Sequence, residues 1–278
     1  MNTSMKSNKR LSTTLTYVVL ILGSILMIFP FVWMLLTSFK TQAESMVIPP
    51  QILPSHWALD NFTTALASLP FFNLYVNTGL LIVFRVLCAV IFSSMAGYAF
   101  AKLQFPCKNL LFGIVLVQMM LPSQIFITPQ YLMLARLGLT NTIFALVFPG
   151  LVSAFGTFFL RQTYLGIPNE IAEAAYLDGC NKWQTFTKVM FPLTGSSCAA
   201  LAIFTAVFAY SDLMWPLICN TDLNMMTLSA GLSTLNGQYT TNFPVLMAGS
   251  FLAMIPMVIL YLLFQKQFIQ GIAMTGGK

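Results

Sequence analysis

Between about Leu15 and Thr37 the chain carries no charged residue, and a run of that length exceeds the about 20 apolar residues a helix needs to cross a bilayer. Hydrocarbon offers no partner to backbone N–H and C=O groups, so a single run of this kind can only satisfy them internally, as a helix. Similar runs recur at about Phe72 to Ala101, Leu110 to Leu134, Ile143 to Leu160, Ser196 to Leu217 and Pro244 to Phe264. Pro122 and Pro129 interrupt the third, and Asn73, Asn77 and Arg85 make the second unusually polar. The pattern predicts an all-α, polytopic membrane protein of about six transmembrane helices. Composition agrees: 58% of residues are hydrophobic and 7% charged, with mean hydropathy +0.81, against about 25% charged in a soluble domain.

Lys6, Lys9 and Arg10 precede the first run as in a signal peptide, but the run is too long for a signal core and no small-x-small cleavage site follows, so a retained anchor is expected. Six spans with the amino terminus inside put Lys6, Lys9, Arg10, Lys102, Lys108, Arg161, Lys182, Lys188, Lys266 and Lys278 on the cytoplasmic face. Only Lys40 and Arg136 then fall outside, which satisfies the positive-inside rule and places both termini in the cytoplasm of a cell with the protein in its membrane. The scatter of basic residues beside spans explains the net charge of +6 without nucleic acid. We expect a cytoplasmic tail over residues 1–14 and one transmembrane domain over residues 15–278.

The chemistry that is missing narrows the function. His56 is the only histidine, the acidic residues are dispersed, and there is no GxxxxGK[ST] loop for nucleotide phosphates. Cys88, Cys107, Cys180, Cys198 and Cys219 stand singly, as small buried side chains do. The expectation is a protein that is not an enzyme and binds no cofactor or metal. Uphill work would draw on a partner or on an ion gradient.

One polar island stands out, at about residues 165–194. Pro168 suits a first helical turn, with Glu170 and Glu173 near the positive end, and Gly179 suits a left-handed stop. Asn181 with Gln184 forms a second start, and Trp183, Phe186 and Met190 follow at helical spacing. Ile167, Ile171, Ala174 and Ala175 are the expected apolar face of the first helix. By pattern alone the pair either rests on headgroups or is gripped by another protein.

Glu173-Ala174-Ala175, then Asp178-Gly179, Phe186 and Pro192-Leu193, resembles the EAA loop of permease subunits in binding-protein-dependent ABC importers. Other stretches are similar to the carbohydrate-uptake branch, and within it to the shorter permease of the maltose type: Phe29-Pro30, Trp33 to Lys40, Ala96 to Lys102, Phe158 to Gln162 and Trp215-Pro216-Leu217. The resemblance implies the type I ABC importer permease fold. It implies one copy of this chain beside a second, different permease, two ATPase subunits that use the ATP, and an extracytoplasmic sugar-binding protein. It places Glu173, Ala174, Ala175, Asp178, Gly179 and Phe186 at the ATPase contact, and Gln238 and Tyr239 where a relative's loop meets its binding protein; an ordinary turn around Asn236-Gly237 is the alternative.

Arg85 and Asp212 need partners inside a bilayer, since an unpaired charge there costs about 2.5–3.5 kcal/mol on insertion scales. They either line the path, pair with each other or with the second permease, or serve as a structural ion pair or helix-end cap. Ser211-Asp212 stands where the family carries Asn-Asp, and Arg85 is no part of the family's signature. The resemblance points to a sugar as cargo; the alternatives are glycerol phosphate or a related anionic ester and, from another class, an ion-coupled secondary transporter.

Overall fold

A computed structural model describes the backbone of residues 2–237 and 241–276 and the side chains of residues 13–237 and 241–265. The chain forms two compact units, one of Met1–Leu69 with Thr234–Ile255 and one of Pro70–Ser233 with Pro256–Lys278. The described residues outside loops are helical.

The first unit holds α1 (Asn2–Ser38), the single turn α2 (Gln42–Ser45) and α3 (Asp60–Ser68). Nothing of the apolar window of α1 is buried inside the chain, so its side chains are left for lipid. Beyond it the backbone needs anchoring, and polar side chains supply it. Asn61 donates through Nδ2 to the carbonyls of Ser38 and Lys40, each at 2.9 Å. Lys40 is buried, donates to the Gln51 carbonyl and lies over the Trp33 ring. Glu44 closes a capping box with Thr41 and reaches on to the Ser55 amide at 3.0 Å. Phe39 packs on Trp57 and Phe62, and Phe62 meets Phe251 edge-on.

The second unit is built around α4 (Phe71–Lys102). Its buried positions Leu74, Asn77, Thr78, Leu81, Arg85, Ala89, Ser93, Ser94, Gly97 and Tyr98 recur at helical spacing and form one stripe. That stripe is rich in polar and small residues, Asn77, Thr78, Ala89, Ser93, Ser94 and Gly97 among them, as expected where helices meet in lipid and the apolar side chains gain little by turning inward. There follow α5 (Lys108–Met120), α6 (Ile127–Arg136), α7 (Ile143–Val147) and α8 (Ala154–Leu165). The next are α9 (Asn169–Leu177), α10 (Lys182–Gln184), α11 (Phe191–Leu193), α12 (Gly195–Ser211), α13 (Met214–Cys219) and α14 (Leu228–Ser233), and α15 (Phe243–Gly276), whose residues up to Ile255 belong to the first unit, closes the series. Backbones come close where side chains vanish: a Cβ on Gly97 would lie 2.8 Å from the Arg161 nitrogen of α8, and one on Gly156 would lie 2.4 Å from Ser93 Oγ.

Among the described residues three helices are long and apolar enough to cross a membrane, Thr13–Ser38, Phe71–Lys102 and Phe243–Gln265. Three bent pairs bring the total to six if each is one span. The expected third span bends by 102° between Met120 and Ser123. Leu121, held extended at ψ 136° by the proline that follows, accounts for the break. The expected fourth span is not continuous to Leu160. It bends by 46° ahead of Ala154, where Ser153 caps a new helix by accepting from the Gly156 amide. The expected fifth span also ends early, at Ser211, because Asp212 leaves helical geometry to meet Arg85.

Candidate functional site

The polar island folds as a helix–turn–helix whose turns follow from local hydrogen bonds. Pro168 precedes α9 in extended geometry (φ −56°, ψ 145°) rather than joining its first turn. Lys102, at the end of α4, ties the entry by donating to the Ile167 carbonyl and to Asn169 Oδ1. At the far end the Gly179 amide donates to the Tyr176 carbonyl at 3.1 Å and the Cys180 amide to the Ala175 carbonyl at 2.9 Å. This pair of bonds is a Schellman motif, which requires a left-handed residue; Gly179 supplies it at φ +85°. Two residues later Asn181 and Gln184 exchange backbone–side-chain bonds, each at 2.9 Å, and start α10. The helix then widens into a π segment, Thr185–Met190, before α11, and turns by 75° at Thr194 into α12.

This end of the unit has its own core: Tyr98 of α4, Leu160 and Tyr164 of α8, Ala172, Phe186, Met190, Cys198 and Leu201. Phe186 packs against Tyr98, Trp183 and Phe191 with ring centroids 5.1, 5.6 and 5.9 Å away. Tyr164 OH bonds Ser94 Oγ at 2.6 Å and accepts from Thr194 Oγ1 at 3.4 Å, so α4, α8 and the start of α12 share one polar knot.

The six residues singled out in the loop divide between two faces. Glu173, Ala174, Asp178 and Gly179 are exposed, whereas Ala175 and Phe186 face the core. The inward stripe of α9 is Ala172 and Ala175, not the expected set with Ile171 and Ala174, both of which are exposed. Sequence reasoning missed what accompanies the carboxylates outside. Leu177 is 89% exposed and Trp183 59%, with Tyr176 beside them, a concentration of apolar surface on a short turn. Their run in the sequence, an aliphatic residue just before Asp-Gly and a tryptophan just after Asn-Lys, was the available sign.

Arg85 and Asp212, also singled out, meet. Arg85 Nη1 donates to Asp212 Oδ2 at 2.9 Å, and Nη2 donates to the Leu146 carbonyl of α7 at 2.7 Å. The Arg85 side chain is 10% exposed and that of Asp212 23%. Gly150 makes room, since a Cβ there would lie 2.7 Å from Arg85 Cδ. Trp215 closes the surroundings, donating through Nε1 to the Ala145 carbonyl at 2.8 Å. Beside the pair opens a cavity of about 530 Å³ whose polar lining is Gln118, Ser123, Gln124, Gln130, Ser211 and the pair itself. A second hollow of about 720 Å³ shares Arg85 and Gln118 and continues along Phe155 and Phe204. Gln238 and Tyr239 lie outside the described residues.

Residues 89–274 match the family described as binding-protein-dependent transport system inner membrane component. The chain is 35% identical over 254 residues to the arabinooligosaccharides transport system permease protein AraQ of Halalkalibacterium halodurans, covering 90% of this chain and 91% of that protein. It is 29% identical to the sn-glycerol-3-phosphate transport system permease protein UgpE of Salmonella typhi, covering 96% and 98%. The fold is similar to a chain in the crystal structure of a bacterial ABC transporter involved in the import of the acidic polysaccharide alginate, with a TM-score of 0.78 at 21% identity over 92% of this chain and 96% of that one.

Proposed function

Because the chain belongs to the family of inner membrane components of binding-protein-dependent transport systems, we propose that it forms half of the pore of an ATP-driven carbohydrate importer and that the α9–α11 segment is where the ATPase drives it. The protein is a transport permease and not an enzyme, and its system includes an ATPase and a substrate-binding protein. A second, different permease completes the pore, both termini are cytoplasmic as the basic residues suggest, and ATP is used by the ATPase while this chain binds no cofactor.

One observation carries the mechanism: a stiff helix pair presents Glu173, Asp178, Leu177 and Trp183 outward while burying Ala172, Ala175, Phe186 and Met190 against α4, α8 and α12. A partner that grips the outer face moves the inner face with it, because a packed core transmits displacement rather than absorbing it. Thr194 then passes the motion into α12, whose far end carries Asp212 and the cavity. Closure of the ATPases would thus reorient the helices that line the path, giving alternating access.

A second reading, import of glycerol phosphate or a related anionic ester, draws on the likeness to UgpE and on the presence of Arg85 at the cavity. The bond from Arg85 to Asp212 favours the carbohydrate, since the guanidinium charge is already matched. An ion-coupled carrier would have no use for the exposed helix pair.

The test is mild-detergent purification of the tagged chain from its native membrane, with co-purifying chains identified and ATPase activity assayed. A second permease and an ATPase should accompany it, with activity stimulated by a loaded sugar-binding protein. A homo-oligomer without ATPase would overturn the reading.

A further inference from the structure

Three features of the cavity beside Arg85 go unused by the coupling mechanism. The first is charge. Arg85 is nine-tenths buried and its two terminal nitrogens are committed to Asp212 and to the Leu146 carbonyl. The second is that Asp212 is held where it is by chain geometry: it is the residue at which α12 ends, and it lines the cavity together with Arg85. The third is the rest of the polar lining, which is uncharged. Gln118 of α5, Ser123 and Gln124 of the break after it, and Gln130 of α6 all face the same space. Primary amides both donate and accept, as hydroxyl groups do, so such a lining suits a polyol. It gives an anion little.

We propose that Asp212 sets the charge selectivity of this cavity: by pairing with the Arg85 guanidinium it offsets that positive charge and leaves a subsite for an uncharged, polyhydroxylated segment of the cargo, contacted by Gln118, Gln124 and Gln130, and loss of the carboxylate turns the same subsite into an anion site. This deepens the carbohydrate reading and rests on it, because it gives this subunit a direct contact with the cargo. Arg85 acts here through Asp212 and does not itself bind sugar; its fixed partner at the Leu146 carbonyl keeps the guanidinium in place when the carboxylate is removed. A bare guanidinium in a low-dielectric site then offers Nη1 to a phosphate oxygen, a charge-assisted bond of the strong kind.

The experiment uses the complete importer, purified with its partner subunits into nanodiscs or proteoliposomes, as wild type, Asp212→Asn, Arg85→Gln and the double variant. Inorganic phosphate binding is measured by calorimetry, and uptake is measured for arabinotriose, diacetylchitobiose and glycerol 3-phosphate. Asp212→Asn should bind phosphate about tenfold more tightly than wild type, the scale of one charge-assisted hydrogen bond, and phosphate should inhibit its remaining sugar uptake. The double variant should lose the phosphate binding and recover neutral uptake relative to Asp212→Asn. Gln118→Ala with Gln124→Ala should raise the KM for the sugar, and an unchanged KM would remove the amides from the subsite. If Asp212→Asn and Arg85→Gln lower uptake alike, with no gain of phosphate binding in the former and no recovery in the double variant, the pair only braces the helices and the proposal falls. If wild type binds phosphate and imports glycerol 3-phosphate but neither sugar, the carbohydrate reading falls with it. Sugar import by wild type without the charge effect overturns this inference alone.

Discussion

Replacing Gly179 by valine would place a β-branched side chain at φ +85°, where such residues are genuine outliers and the strain is of order 1–3 kcal/mol. Space is no obstacle, because nothing lies within 4 Å of the added Cβ. The expected outcome is therefore local: a chain that inserts and assembles at near-normal levels but loses uptake and substrate-stimulated ATPase, as the Schellman turn reopens. Gly179→Ala should give a weaker version. Normal uptake by the valine variant would remove the turn from the coupling path. In the other unit, Glu44 offers a titration test. Hydrogen bonds from Thr41 and Ser55 hold its carboxyl down to about 2 from an ordinary 4.5. A depressed carboxylate stabilises the fold fully above its ordinary pKa, and that contribution is lost as the pH falls through the folded value. Hydrogen exchange at the Ser55 amide, corrected for intrinsic rate, should stay slow down to about pH 4.5 and quicken towards pH 2; in Glu44→Gln the step should vanish.

At the scale of elements, the joint between α4 and α8 depends on Gly97. Leucine there would drive a side chain into the Arg161 backbone, which cannot rotate away, so a loss of about 1–3 kcal/mol is expected for overpacking, measured as a lower unfolding temperature of the purified complex. Tyr164→Phe removes the bond to Ser94 but no volume; interhelical hydrogen bonds in membranes average about 0.6 kcal/mol, and the shift should be correspondingly small. Phe186→Ala belongs with the large effects, about 3–5 kcal/mol for a buried aromatic, because the ring is shared by Tyr98, Trp183 and Phe191. The elements also mark what could be read from sequence. The helix pair around Gly179 and Asn181-Gln184 is legible because its stops and starts are bonds over three to five residues, visible as spacing. The breaks at Ser153 and Asp212 were not, since a hydropathy average runs across a single polar residue whose effect depends on a distant partner. The inward face of α9 differs from the expected one because size ranks Ile171 first among its apolar residues, yet the side chains that turn to the core are those of Ala172 and Ala175. The pairing of Arg85 with Asp212 was named as one option among several; what makes it definite is the Leu146 carbonyl and the gap at Gly150, neither of which leaves a trace in spacing.

For the whole molecule, the exposed and buried faces of the α9–α11 segment should separate in a single experiment. Leu177→Asp and Trp183→Ala are expected to weaken ATPase co-purification strongly while leaving the unfolding temperature of the isolated chain within the ordinary range of surface changes, about 0.5 kcal/mol. Retained co-purification would mean that the ATPase grips elsewhere. The ion pair has a consequence of another kind, in the order of synthesis. Asp212 follows Arg85 by 127 residues, so at about 5–20 residues per second the arginine waits roughly 6–25 s for its counter-charge to be made. Until then its helix enters or lingers at the membrane on the strength of its other apolar residues, with a cost of about 2.5–3.5 kcal/mol outstanding. A ribosome that stalled between the two would leave a half-made protein with an unmatched cation in lipid, the kind of intermediate that a membrane insertase or chaperone is suited to hold.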